Sequence, residues 1–155
     1  AAKSIASLKP RFLTVHASGG PDMVKAAADA VPDTHIVAVT VLTSLNQDQL
    51  SAMKWAGSAQ DIVTTLAVQS VESGARAIVC SPQEVAAVRA AVGAGVTLIT
   101  PGVRPAGSDA GDQQRIATPQ QAIADGADIL VIGRPITGAA DKAQAARDIA
   151  QSLGY

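Results

Sequence analysis

The chain is predicted to adopt an α/β fold with a parallel β-sheet, and three features of its sequence support this class. Short apolar runs alternate with longer segments of helical periodicity along the 155 residues. The helical segments open with capping residues, and the loops that follow the apolar runs are rich in glycine and polar residues. Strands that alternate with helices form parallel βαβ units with right-handed crossovers. We therefore expect a single domain over residues 1–155.

Five apolar runs are the expected strands, because each is short and rich in aliphatic or β-branched residues. In chain order they are "FLTVHA" (12–17), "HIVAVTVL" (35–42), "ARAIVCS" (75–81), "VTLITPG" (96–102) and "ADILVIG" (127–133). Continuous apolar runs indicate parallel strands that are covered on both faces. The last run therefore predicts a buried parallel strand over 129–132 that ends at Gly133.

Capping patterns mark the starts of helices between these strands. One helix is expected to begin at Ser58, and a second, in "TPQQAIADGA", is expected to be capped by Thr118. In "SPQEVAAVRAAV", Ser81 is predicted to cap the helix, Pro82 to take its first position and Glu84 to complete a capping box.

Composition excludes several classes of protein. The net charge is -1 and aromatic residues make up 2% of the chain, so there is neither a basic field nor a set of stacking platforms for nucleic acid. No apolar run reaches the length of a membrane-spanning helix. The one cysteine, Cys80, cannot form an internal disulfide, and we expect it to be buried. The sequence thus predicts a cytoplasmic protein that binds neither nucleic acid nor membranes.

The loops after the strands indicate which parallel architecture is present. A doubly wound sheet would have a glycine-rich fingerprint after its first strand, and "HASGGPD" does not match it. A (β/α)₈ TIM barrel would form a phosphate site from the loops after its last two strands. Those loops here contain Arg104, Gln113, Gly133 and Arg134, so the barrel is favoured. Five strands do not close an eight-stranded barrel, and we expect the chain to hold about the last five of them.

Four segments carry a resemblance to a known family. "VHASGG", "AVTVLTS", "ITPGVRP…GDQQRIATP" and "VIGRPIT" resemble, in order and spacing, the bacterial orotidine 5'-phosphate decarboxylases. The resemblance implies a (β/α)₈ barrel that acts as a homodimer, with strands 4 to 8 in this chain. It also implies a carboxy-lyase without metal or cofactor, which converts orotidine 5'-phosphate to uridine 5'-phosphate (UMP) in de novo pyrimidine biosynthesis.

The same resemblance implies roles for five residues that bind the nucleotide. Thr43 in "VLTS" matches a hydroxyl residue that meets the pyrimidine. Arg104 in "PGVRP" and Gln113 in "GDQQR" match residues of a loop that closes over phosphate and base. Gly133 and Arg134 in "IGRPI" match the phosphate grip after the last strand. A guanidinium fork and backbone N–H groups at a helix start both favour a phosphate dianion.

The catalytic pattern of that family does not occur in these residues. The family's chemistry rests on an Asp-x-Lys-x-x-Asp strand, and no such pattern is present in the sequence. The opening "AAKSIASLKPRF" resembles the helix that follows this strand. We therefore expect no catalytic residue in this chain, and no decarboxylation by these 155 residues alone.

Two alternatives stay open from the sequence. The chain could belong to another phosphate-sugar barrel enzyme, of the hexulose-phosphate synthase or pentulose-phosphate epimerase type. Those enzymes hold a metal with acidic residues at strand ends, and the strands here end without them. It could also be a non-catalytic phosphate-binding fragment.

Overall fold

The computed structural model describes residues 1–105 and 115–155, which contain one sheet of five parallel strands. The strands are β1 (Phe12–His16), β2 (His35–Val39), β3 (Ala77–Val79), β4 (Thr97–Thr100) and β5 (Ile129–Leu130). Their order in the sheet is β1-β2-β3-β4-β5, the same as their order in the chain. A doubly wound sheet reverses its order at a switch point, so this sequential winding is that of a (β/α)₈ barrel.

Helices connect the strands and cover the sheet. They are α1 (Pro21–Ala30), α2 (Gln47–Ala52), α3 (Ala59–Glu72), α4 (Val85–Val92), α5 (Pro119–Ala124), α6 (Arg134–Thr137) and α7 (Lys142–Ser152). Two 3₁₀ helices, Ala2–Leu8 and Ala17–Gly19, precede and follow β1. Within the described ranges, no helix is long and apolar enough to cross a membrane.

The core lies between the central strands and the helices packed on them. Ile36 of β2, Ile78 of β3 and Leu98 of β4 are at most 1% exposed. Val63 of α3 and Val88 of α4 join the same apolar cluster. Burying one such side chain stabilises the fold by about 1.5 to 3 kcal/mol, so these contacts are the main force that holds the helices on the sheet.

The predicted burial of the last strand is wrong. Only Ile129–Leu130 pair with β4, and Ile129 and Val131 are 36% and 47% exposed. β5 lies at an edge of the sheet, so one of its sides has no neighbouring strand in the described part of the chain. The continuous apolar run correctly indicated a parallel strand, but a run of this kind predicts burial only where both faces of the strand are covered.

Two of the three predicted helix starts are confirmed. Ser58 Oγ accepts a hydrogen bond from Asp61 N at 3.1 Å, and Asp61 Oδ2 accepts from Ser58 N at 3.2 Å. These two bonds form a capping box at the start of α3. At α5, Thr118 Oγ1 accepts from Gln121 N at 3.2 Å, which satisfies one free N–H of the first turn.

The predicted capping box of α4 is wrong. Glu84 N donates to Ser81 O at 3.1 Å in a turn, and the helix begins only at Val85. Ser81 Oγ accepts from Gln83 N instead of from the helix. The Glu84 carboxylate does not return to the backbone of residue 81, because it pairs with an arginine far along the chain.

Candidate functional site

The predicted site residues follow the carboxyl ends of β2, β4 and β5. Because the strands are parallel, their carboxyl ends all lie at the same end of the sheet, and this is where α/β barrels form their sites. Thr43 follows β2, Arg104 follows β4, and Gly133 and Arg134 follow β5. Gln113 lies outside the described residues.

Thr43 occupies a tight turn beyond the end of β2. Leu45 N donates to Leu42 O at 3.0 Å, so Thr43 is the second residue of this turn. Thr43 is only 9% exposed. Helix α2, which follows the turn, is capped by Asn46 in a capping box with Gln49. The cap of α2 therefore does not require the Thr43 hydroxyl.

Arg104 is fixed at the base of the loop after β4. Val103 and Ala117 form an isolated parallel bridge, and Arg104 N donates to Ala117 O at 2.9 Å. The Arg104 side chain is 6% exposed, and its Nη1 donates to Val103 O at 3.0 Å. The backbone of residues 103 and 104 therefore lies directly beside that of residue 117.

Gly133 and Arg134 form the start of α6. Gly133 O accepts from Ile136 N at 2.9 Å and from Thr137 N at 3.0 Å. Gly133 has φ -98° and ψ -92°, so its backbone is not left-handed, but this pair of angles lies outside the main regions open to residues with a Cβ. A Cβ at this position would meet nothing within 4 Å. The space beside the exposed Arg134 is therefore open, which suits the approach of a bulky anion.

A buried ion pair beside Thr43 was not predicted from the sequence. Arg115 Nη1 donates to Glu84 Oε1 at 2.8 Å, and the two side chains are 7% and 5% exposed. Arg115 Nη2 also donates to Val41 O at 3.2 Å and to Leu42 O at 3.0 Å. The Arg115–Glu84 pair thus joins the chain segments that follow β2, β3 and β4.

A signal for this pair was present but ambiguous. Glu84 and Arg115 have opposite charges and each follows a strand end, and neighbouring parallel strands bring such positions together. Glu84 also completed a helix-capping pattern, and that local explanation was sufficient by itself. Arg115 stands inside "GDQQRIATP", where the resemblance assigned only Gln113.

The surroundings of the pair are dry. Burial, and secondarily the Glu84 carboxylate, raise the pKa of the Cys80 thiol to about 12. Cys80 is fully buried, as predicted, and it is neutral at physiological pH. A neutral buried thiol is a poor nucleophile, so Cys80 is not a catalytic candidate.

In the two described ranges, no group of three or more His, Cys, Asp or Glu side chains could hold a metal ion.

Comparison with known proteins gives the family. Residues 1–149 match the model of the Orotidine 5'-phosphate decarboxylase / HUMPS family. Relatives called orotidine 5'-phosphate decarboxylase from Thermobifida fusca and Frankia casuarinae are 63% and 58% identical over 153 and 151 residues. These alignments cover 99% and 97% of this chain but only 66% and 55% of the relatives.

A solved structure shows the same architecture. The crystal structure of orotidine 5'-phosphate decarboxylase from Lactobacillus acidophilus matches with a TM-score of 0.83 and 34% identity. The match covers 99% of this chain and 68% of that one, and it confirms the predicted barrel, of which five strands lie in the described part of this chain. On these sequence and structural matches, the chain belongs to the orotidine 5'-phosphate decarboxylase / HUMPS family.

Proposed function

We propose that this chain is the nucleotide-binding part of an orotidine 5'-phosphate decarboxylase, which forms UMP and carbon dioxide from orotidine 5'-phosphate. The observation that carries the proposal is the 63% identity, over 99% of the chain, to a relative of that name. The reaction belongs to de novo pyrimidine biosynthesis, and we propose a cytoplasmic homodimer as the working form.

The phosphate is proposed to bind at Gly133 and Arg134. The open space over Gly133 and the exposed position of Arg134 support this role. A planar guanidinium donates two parallel hydrogen bonds to a phosphate, which gives both affinity and orientation. This grip lies at the carboxyl end of the last strand, where barrel enzymes commonly bind phosphate.

The pyrimidine is proposed to meet Thr43. A hydroxyl both donates and accepts hydrogen bonds, so it can pair with the edge of a uracil or orotate ring. Its low exposure supports the role, because a polar contact made away from water discriminates strongly between ligands. Arg104 and Gln113 are proposed to bind phosphate and base from the loop after β4, and for Gln113 the proposal rests on the family motif alone.

No residue of this chain is proposed to transfer the proton. The family's Asp-x-Lys-x-x-Asp strand supplies that chemistry and is not among these 155 residues. The contribution of this chain is binding energy: contacts to the phosphate, remote from the reacting carbon, are used to lower the barrier there.

A second candidate function comes from the family description itself, which joins the decarboxylase with HUMPS. A metal-dependent phosphate-sugar barrel would bind the phosphate in the same place. Its reaction would need acidic ligands for a divalent ion. Chelation should therefore abolish the metal-dependent reaction and leave the decarboxylation unchanged.

The test is an assay for loss of orotidine 5'-phosphate by the chain alone, and by the chain mixed with a polypeptide that carries the Asp-x-Lys-x-x-Asp strand. We expect no turnover alone, and turnover in the mixture that survives EDTA. A mixture in which the lysine of that strand is alanine is the control. Turnover of a pentulose or hexulose phosphate that EDTA abolishes, without decarboxylation, would favour the second function instead.

A further inference from the structure

We infer that Arg115 and Glu84 are positioning residues, which hold Thr43 in place for the base of the bound nucleotide. This inference rests on the proposed function, because it assumes that Thr43 meets the pyrimidine. Neither side chain is proposed to touch the ligand, and both act through the backbone that carries Thr43.

The backbone before Thr43 needs donors that the sheet does not supply. The β2–β3 ladder ends with Val39 opposite Val79, and the last bond beyond it is from Thr40 N to Val79 O at 3.1 Å. Val41 and Thr43 are buried, so carbonyl groups in this segment cannot all rely on water. Buried carbonyl groups without a partner are costly, and another part of the protein has to satisfy them.

Arg115 supplies the missing donors. Its Nη2 reaches the carbonyl groups of both Val41 and Leu42, the two residues immediately before Thr43. Leu42 O also accepts from Leu45 N, the bond that closes the turn containing Thr43. A single guanidinium group therefore fixes the entry to the turn, and the turn bond fixes its exit. Thr43 lies between the two restraints.

Glu84 in turn holds the guanidinium group of Arg115 in place. Its Oε1 accepts from Arg115 Nη1, and with both side chains at most 7% exposed the pair is shielded from water and salt. A buried arginine without its carboxylate would be unfavourable, so Glu84 keeps the Arg115 guanidinium group buried and oriented. The Glu84 carboxylate is available for this role because it takes no part in capping α4.

The pair also connects the base contact to the neighbouring loop. Arg115 lies in the chain segment that connects β4 to α5, and its guanidinium group donates to carbonyl groups in the segment after β2. A displacement of Arg115 would therefore move the carbonyl groups of residues 41 and 42, and the Thr43 hydroxyl with them. Catalytic and binding groups act well only within small tolerances of position, so such a shift would weaken recognition of the base.

The test compares two ligands that share a phosphate and differ in the base, UMP and ribose 5-phosphate. Arg115→Lys keeps one positive charge but cannot reach Glu84 and two carbonyl groups with a planar fork. We expect it to weaken UMP binding about tenfold, which corresponds to about 1.4 kcal/mol, and to change ribose 5-phosphate binding by less than about twofold. Glu84→Gln, which retains the shape of the side chain, should shift the two affinities in the same selective way.

The matched control is Arg89→Lys, because Arg89 also binds backbone carbonyl groups and a carboxylate but lies at the opposite end of the strands. Its UMP and ribose 5-phosphate affinities should equal those of the unmodified protein. A double-mutant cycle with Thr43→Val measures whether the loss of UMP affinity in Arg115→Lys depends on Thr43. General loosening of the fold would not produce such a dependence. If Arg115 acts through Thr43, Arg115→Lys should cost no further UMP affinity in the Thr43→Val background.

Three outcomes would overturn the inference: equal losses of UMP and ribose 5-phosphate affinity, no loss of either, or additive losses in the cycle. Should Arg115→Lys not fold, Glu84→Gln alone carries the same comparison and the same cycle. Failure of the underlying function would look different, because the unmodified protein would then bind UMP no more tightly than ribose 5-phosphate.

Discussion

Two arginines of this chain use the same chemistry at opposite ends of the sheet. Arg89 donates to the carbonyl groups of Gly93, Val96 and Gly126 and pairs with Asp128, just before β4 and β5 begin. Arg115 donates to two carbonyl groups and pairs with Glu84, just after β2 and β3 end. In each case one guanidinium fork joins chain segments that the strand ladders do not connect.

The two clusters differ in their exposure to water. The Arg89 and Asp128 side chains are 21% and 48% exposed, whereas those of Arg115 and Glu84 are 7% and 5% exposed. Asp128 additionally accepts from Leu98 N at 2.7 Å, so the amino-end cluster fixes where β4 starts. In α/β barrels the amino ends of the strands serve stability and the carboxyl ends carry the site. The comparison therefore separates an arginine that holds the fold from one that we propose also holds a binding residue.

The largest effect should follow from breaking the buried pair. Arg115→Ala leaves the Glu84 carboxylate uncompensated in a dry site, so we expect the free energy of unfolding to fall by about 3 to 5 kcal/mol. Arg89→Ala exposes its partners to water and should cost about 1 to 2 kcal/mol. Urea denaturation of both variants checks the difference. Equal losses would mean that burial does not distinguish the two clusters.

A second variant separates loss of the arginine from loss of the pair. Removing both charges, in Arg115→Met combined with Glu84→Leu, leaves no unpaired buried charge and should recover part of the lost stability, although the carbonyl group of Val41 loses its donor. The same variant should still have weakened selectivity for UMP over ribose 5-phosphate, because no donor reaches residues 41 and 42. Recovered stability together with full selectivity would contradict a positioning role.

The next effect concerns ligand binding at the carboxyl ends. In the complete enzyme, Arg134→Ala should weaken UMP binding by about 2 to 4 kcal/mol, the range for removing one partner of a charged contact, because a phosphate dianion would lose its guanidinium fork. Uridine, which has no phosphate, should bind as before. Isothermal titration with both ligands checks this expectation. Arg147→Ala is a suitable control, since Arg147 is also an exposed helical arginine and donates hydrogen bonds to Gln144 of its own helix. Equal losses for UMP and uridine would remove the phosphate role from Arg134.

Sequence patterns predicted this fold well where the cause of an element is local. The strand positions, the parallel class and the caps at Ser58 and Thr118 follow from hydrophobic periodicity and from side chains that bond within a few residues. The strand ends were predicted too far along the chain. The apolar run of 35–42 continues after the ladder of β2 stops at Val39, because Val41 packs in the hydrophobic core without pairing in the sheet.

The site was predictable only in part, since its buried pair depends on contacts between distant residues. Arg115 and Glu84 are 31 positions apart, and Arg115 lies 74 positions from Val41. No local pattern specifies such contacts. Motif resemblance alone suggested Thr43, Arg104, Gly133 and Arg134 as site residues, and it does not indicate which groups hold them in place. The structure places all four after strand ends.

The smallest expected effect compares two carboxylates that follow a serine by three positions, Asp61 after Ser58 and Glu84 after Ser81. Hydrogen bonds from the Ser58 side chain and backbone N–H lower the pKa of Asp61 below its ordinary 3.8. A lowered pKa means that the ionised cap stabilises the fold above about pH 4, and that this stabilisation is lost as the pH falls through the pKa of the folded state. Asp61→Asn should therefore flatten the acid limb of the stability curve slightly, measured by urea denaturation between about pH 2 and pH 6. Asp61 is fully exposed and its loss leaves no buried charge, so the decrease at neutral pH should be smaller than that of Arg89→Ala. If Asp61→Asn lowered the free energy of unfolding as much as Arg115→Ala, the exposed helix cap at Asp61 would contribute at least as much stability as the buried Arg115–Glu84 pair, which would contradict this expectation.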